Sequence, residues 1–385
     1  MKRFAFILVS AFLAMTAAAG AQSAIPEDPD SLFAPDTPAP AAAPAPPAPA
    51  AKGVEVGGAL FSDYTGYLSW PAAYPDLANL SAGASSRFVP NLEADLYFDA
   101  RPVDELRVFT KLKAVYPFTA PGISVFEVYA DLSYRDQVYF RAGQQVVNWG
   151  VGYFFSPADI ISLTPIDPLR PDLERAGPLA LKINVPFADV DNMYLYFVAN
   201  QAFATNGDFR LDDIAVAPKV EFLLGKWEIG AGGSYQRNQG PKAMMTATGS
   251  VFGQLGLFAE GVLSSALIFS GTIGARWLQA DWHFSAVVQY YFNGDGYESP
   301  GKHYVAGQAS WTDILSSRID LGLFYEGNLS DGSGVASPSI AFTPFRNFTM
   351  TFAPYITYGS DGTEFVSMFG RLSLSMKLTL GTGSF

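Results

Sequence analysis

The chain has 385 residues, a net charge of −12, 15% aromatic residues and no cysteine. An acidic balance without a basic cluster excludes a nucleic-acid footprint and attraction to anionic lipid. The missing thiols exclude disulfides, thiolate metal sites and a lipid-modified cysteine.

Residues 1–21 read as a secretory signal peptide. Lys2 and Arg3 form its positive end, Phe4 to Met15 its apolar run, and Ala19-Gly20-Ala21 a small-residue cleavage site. The run falls short of the roughly 20 apolar residues of a membrane-spanning helix. Loss of Lys2 and Arg3 takes the charge from −12 to −14. Residues 22–53, with "APDTPAPAAAPAPPAPAAKG", carry no apolar periodicity. They predict an extended periplasmic spacer that either simply clears the export machinery or contacts the cell wall.

From Val54 to Phe385 the pattern changes to period two, the mark of strands. In 90–100 Leu92, Ala94, Leu96 and Phe98 oppose Glu93, Asp95, Tyr97 and Asp99. In 104–116 Leu106, Val108, Leu112 and Ala114 oppose Arg107, Lys111 and Lys113. In 123–134 Phe126, Val128, Ala130 and Leu132 oppose Glu127, Tyr129 and Asp131. Trp227, Ile229 and Ala231 alternate in the same way, as do Phe348, Met350, Phe352 and Ile356. No run of 18 apolar residues follows the leader. Since lipid admits only helices and closed barrels, these segments of about ten residues predict a transmembrane antiparallel β-barrel.

The segments number about 18, with 16 as the main alternative. Every second connection is tight, as in "DARPVD", "YRDQ", "LGK" and "FRN"; the others, such as "FNGDGYESPGKH" and "GNLSDGSGVASP", are mostly longer. Short turns at one rim and longer loops at the other place both termini on the periplasmic side of an outer-membrane barrel. Tyr116, Tyr134, Tyr235, Phe292, Tyr325 and Tyr358 stand at strand ends, as interfacial girdles require. Over 365–380, Leu372 to Leu380 alternate, but Phe385 falls out of phase unless a bulge intervenes.

The polar face predicts the pore lining: Glu93, Asp95, Asp99, Arg107, Lys111, Lys113, Glu127, Asp131 and Arg141. Acidic and basic strands alternate about 4.8 Å apart, which allows a cross-strand ion-pair ladder. The same charges could instead face one another across the lumen as a transverse field. Either arrangement needs water nearby.

One connection stands apart. "NWGVGYFFSPADIISLTPIDPLRPDLERAG", residues 148–177, is broken by Pro157, Pro165, Pro168 and Pro171, so neither a helix nor a strand can run through it. A loop this long in a regular scaffold is usually functional. "RAGQQVVNWGVGYFFSPADIISLTPIDP", residues 141–168, resembles the G-x-Q…W-G…P-x-D…P-x-D pattern of a porin-like outer-membrane barrel family of diderm bacteria, spirochaetes included. The resemblance implies a channel-type barrel, with Gln145, Trp149, Gly150, Asp159 and Asp167 sharing a structural or constricting role. Arg170, Asp172, Glu174 and Arg175 complete the charged part of this predicted constriction loop, which plugs, narrows or covers the pore.

Catalytic chemistry finds little support. His283 and His303 are the only histidines, and His283 with Ser285 lies on a strand predicted to point them, with Asp281 and Gln289, into the lumen. The expectation is a porin-type channel for passive diffusion of small hydrophilic solutes, neither an enzyme nor a cofactor protein. Its partners would be outer-membrane lipid, small solutes and the assembly machinery, with a homo-oligomer left open. One alternative is a channel for hydrophobic substrates such as fatty acids, entered past Trp149, Tyr153, Phe154 and Phe155. The other is a structural or adhesive barrel with a closed lumen.

Overall fold

In the computed structural model, residues 53–385 are described, apart from segments at 77–78, 80, 117–121, 188–190, 200–213, 238, 266, 295–301, 315, 381–382 and 385. The predicted leader, nearly all of the spacer and Phe385 therefore lie outside the described residues. The strands are β1 Val54–Trp70, β2 Ser85–Val103, β3 Leu106–Val115, β4 Ser124–Tyr134, β5 Val138–Gln144 and β6 Leu179–Pro186. They continue as β7 Asn192–Ala199, β8 Ile214–Leu224, β9 Trp227–Gln236, β10 Gly240–Phe252, β11 Leu255–Ser264 and β12 Phe269–Gln279. The last are β13 Phe284–Phe292, β14 His303–Trp311, β15 Ile319–Asn328, β16 Ser333–Phe342, β17 Phe348–Tyr358 and β18 Leu372–Leu380, with a two-residue extension, β19, at Gly383–Ser384. One short helix, α1, spans Glu364–Phe369.

Each strand pairs antiparallel with its sequence neighbour, and β1 closes the ring by pairing with both β2 and β18. The molecule is a closed 18-strand barrel; the 16-strand alternative falls. Closure removes every sheet edge, so the backbone is satisfied without water. Alternate residues on all strands then face opposite sides. One face carries Val56, Leu60, Val108, Val128, Leu132, Phe197, Ile273, Val288, Leu323 and Met376, all large, apolar and exposed. A continuous apolar belt of this extent is the surface that lipid covers. Tyr116, Tyr134, Tyr235 and Tyr358 lie exposed among it at strand ends, as expected, and the Tyr325 and Tyr358 hydroxyls meet at 2.7 Å.

The register with β1 changes by one residue near the end of the chain. Asp63 pairs with Thr379, but Ala59 pairs with Ser384, one residue further on than that register allows.

Four local expectations need correction. Residues 365–371 do not extend the last strand: α1 occupies most of them, and Arg371 donates its N–H to Trp70 O. The "GNLSDGSGVASP" connection is short, because β15 runs to Asn328 and β16 starts at Ser333. There the Asn328 carboxamide oxygen accepts the N–H groups of Ser330 and Asp331 and closes the turn. His283 is not in the lumen: 280–282 form a 3-10 turn, and His283 follows it in the left-handed region, pairing with Asp313 of the next turn. Phe126 does not share the lipid face of β4. A register shift at Lys111/Leu112 turns it under the Lys111 and Lys113 ammonium groups, 5.2 and 4.5 Å from its ring.

Candidate functional site

The barrel's main buried apolar clusters lie inside the lumen, where residues 145–178 leave β5, enter the ring and return to β6. Val147, Trp149, Ala158 and Ile161 pack on Ala180, Tyr196, Val198, Ala217 and Met244 of β6, β7, β8 and β10. Phe154 packs on Phe258, Val287 and Ala306 of β11, β13 and β14 and meets Phe324 of β15 at 6.0 Å. Trp149 and Phe154 are 2% and 0% exposed, so this part of the loop is a foot planted on the wall.

Two polar side chains of the wall hold the foot. The Glu260 carboxylate accepts the N–H groups of Val151, Gly152 and Ala158, the last two at 3.0 and 3.1 Å. The Gln289 side-chain oxygen accepts those of Tyr153 and Phe154 at 3.1 and 2.7 Å, while its amide donates to Phe155 O at 2.6 Å. Five backbone donors inside the lumen, which a buried loop could not leave unpaired, are thereby satisfied. Lys219 adds a hydrogen bond to Trp149 O at 3.0 Å.

Gly150 is required by this arrangement. A Cβ there would stand 1.7 Å from Ser156 Oγ and 2.6 Å from Glu260 Oε2. The Trp-Gly pair of the motif thus combines an apolar anchor with the space the Glu260 clamp needs. Gln145, 1% exposed, donates to Ala180 O at 3.1 Å and fixes the point of departure from β5. Asp159 accepts the Trp149 N–H at 3.1 Å and the Arg175 guanidinium at 2.8 Å. Arg175 also reaches Thr164 O and Asn148 Oδ1, so it staples the outgoing arm to the returning one. Asp167 caps the turn into Leu169 and pairs with Arg170 at 3.0 Å, and Asp172 is exposed on the returning arm.

The returning arm crosses to the opposite wall. Glu174 binds Lys111 at 2.7 Å and Lys113 at 2.9 Å, both on β3. In a ring of 18, β3 stands eight to ten strands from β11 and β13, so one loop ties facing sectors of the barrel together. Burial alone would raise the Glu174 carboxyl, but the hydrogen bonds from Lys111 and Lys113 hold it below the usual carboxylate range.

The charged residues expected to line the pore do share the inward face. They pair with neighbours: Lys113 with Glu93 at 2.6 Å, Lys111 with Asp95 at 2.9 Å and Arg107 with Asp99 at 2.6 Å. Asp131 takes Arg141 at 2.6 Å and Arg107 at 3.6 Å. Glu127 accepts the Val146 N–H at 3.1 Å at the foot of the loop. Between residues 156–165 of the loop and β7 to β10 lies a cavity of about 370 Å³, lined by Asp159, Ser162, Thr164, Gln236 and Lys242 among others.

Nothing in the sequence singles out Glu260 or Lys219, and alternation alone places Gln289 in the lumen without giving it a role. Glu260 left one trace: it is a single acid on an inward face whose neighbouring strands carry no base at that level.

No family model matches the chain, and no curated protein matches it in sequence. Solved structures do. OpdQ of Pseudomonas aeruginosa superposes with a TM-score of 0.53 at 9% identity, over 86% of this chain and 98% of that one. OccK9 (OpdG) of the same organism gives 0.52 at 10% identity with the same coverage. The outer membrane protein opdK, also of Pseudomonas aeruginosa, gives 0.50 at 9%. At such identity the likeness shows a shared barrel fold.

Proposed function

We propose that this chain is an outer-membrane channel of porin type, with both termini periplasmic, through which small hydrophilic solutes diffuse past a fixed constriction. The observation that carries the reading is the loop clamped inside an 18-strand ring by Glu260 and Gln289 on one wall and by Lys111 and Lys113 on the other. A barrel of this size encloses an aqueous channel unless something fills it, and a rigid crossing arm narrows it to a defined aperture. The charged wall supports the same conclusion, since ion pairs on β2 to β5 need water beside them. Burial of Trp149 and Phe154 counts against a channel for hydrophobic substrates, because neither ring offers a free face to the lumen.

In this reading Gln145, Trp149, Gly150, Asp159 and Asp167 shape the constriction and Arg175 braces it, while Arg170, Asp172 and Glu174 edge the aperture. The test is diffusion of uncharged sugars of graded size into liposomes carrying the full chain. Uptake with a sharp size limit is the expected result. Correctly folded barrels that admit none of the sugars would overturn the proposal.

A further inference from the structure

The cavity of about 370 Å³ between the loop and β7 to β10 takes no part in clamping the loop, and its lining is chemically mixed. Two charged side chains border it, Asp159 and Lys242. Asp159 is taken up by Arg175 at 2.8 Å and by the Trp149 N–H at 3.1 Å, which leaves its side chain 4% exposed. Lys242 shares the inward face of β10 with Met244 and is half-buried. Among the described residues its ammonium makes no hydrogen bond or ion pair. Its cross-strand neighbours at the same level are Ser234 of β9 and Ser264 of β11. Neither accepts from it: the Ser264 Oγ is buried without a partner, and the Ser234 hydroxyl has none among the described residues.

The rest of the lining divides into two kinds. Thr164 of the loop faces the cavity, as Ser234 does, with a hydroxyl that is unpaired among the described residues. Ser162 has given its hydrogen to Val147 O at 2.7 Å and keeps acceptor lone pairs. Leu163 of the loop, Val198 of β7 and Ala215 of β8 supply an apolar part. One ammonium answers one negative charge, the hydroxyls can donate or accept, and the apolar part receives C–H groups. A polyhydroxylated monocarboxylate meets all three demands. A phosphate ester fits less well, because its second negative charge would face Asp159. The volume lies within the range of about 300–1,000 Å³ usual for small-molecule sites.

We propose that this cavity is a subsite for hydroxylated monocarboxylates of the sugar-acid class, with Lys242 holding the carboxylate and Ser234 and Thr164 the hydroxyls. Its role rests on the channel reading, as a station that loads such solutes ahead of the constriction. Gln239 and Gly240, which also line it, stand at the rim from which the loop enters the ring. The binding itself does not depend on conduction.

The experiment is saturation-transfer NMR on the folded full chain in detergent with D-glucuronate, glucose and glucose 6-phosphate, alongside uptake of D-glucuronate into liposomes. Charge-assisted hydrogen bonding predicts that D-glucuronate binds about tenfold or more tightly than glucose, and that Lys242→Met removes most of this preference. Ser234→Ala should weaken binding about two- to fivefold. Lys242→Arg, which keeps the charge, should retain part of the affinity and guards against a folding artefact. Unchanged D-glucuronate affinity in Lys242→Met, equal affinity for glucose, or tighter Lys242-dependent binding of glucose 6-phosphate would each overturn the subsite. Lys242-dependent binding without uptake would sink the channel reading and leave the subsite standing. Uptake without such binding would do the reverse.

Discussion

Two walls of the same lumen solve the problem of inward polar groups differently. On β2 to β5 the charges answer one another across adjacent strands, as Asp95 answers Lys111 and Asp131 answers Arg141. On β11 and β13, Gln289 donates to Thr272 of β12, while Glu260 and the Gln289 side-chain oxygen are answered by the backbone of the inserted loop. The ion pairs of the first wall lie between strands of the barrel itself. The second is complete only with the loop in place, so the loop belongs to the fold.

Substitution can break this contrast, most sharply at Glu260. Glu260→Ala strands three backbone donors in a water-poor contact and should cost about 3 kcal/mol or more of local stability. Limited proteolysis within 148–177 should then accelerate while the barrel stays resistant; equal cleavage rates would contradict the clamp. Gly150→Ala forces its Cβ against Ser156 and Glu260 and should cost about 1–3 kcal/mol, read from the same cleavage assay.

On the ladder wall, Lys113→Met should cost about 1 kcal/mol. Glu174 is half exposed and screened, and Lys111 still reaches it. Acid gives a related effect on the returning arm. Because the Glu174 carboxyl titrates below its ordinary range, its tie to Lys111 and Lys113 is fully present at neutral pH. It is lost only as the pH falls through that lowered value. Cleavage near Glu174 should therefore rise at strongly acid pH, and Glu174→Gln should abolish the pH dependence. The exposed Asp63–Lys377 pair at 3.4 Å should contribute the least, below about 1 kcal/mol.

Much of the barrel is legible in the sequence because strand alternation is local and lipid enforces it without exception. Leu92 to Phe98 and Leu372 to Leu380 announce their lipid face by parity alone. The ladder is legible too, since Asp99 and Arg107 sit on consecutive strands joined by a tight turn. Phe126 escapes this logic because a single bulge flips parity, and a bulge leaves no compositional mark. His283 escapes because a 3-10 turn and a strand end share residue types. The Glu260 clamp is hidden for a different reason. Its partners are backbone N–H groups more than a hundred residues earlier, and any residue but proline supplies those.

The central claim is that an aperture in an otherwise open barrel is set by a loop clamped from both walls. Single-channel conductance in planar bilayers, comparing the intact chain with the Glu260→Ala/Gln289→Leu double variant, tests it most directly. The account predicts a steady small conductance for the intact protein and a clear rise, with added current noise, when the clamp is removed. Identical conductance in two correctly folded proteins, or none in either, would contradict it.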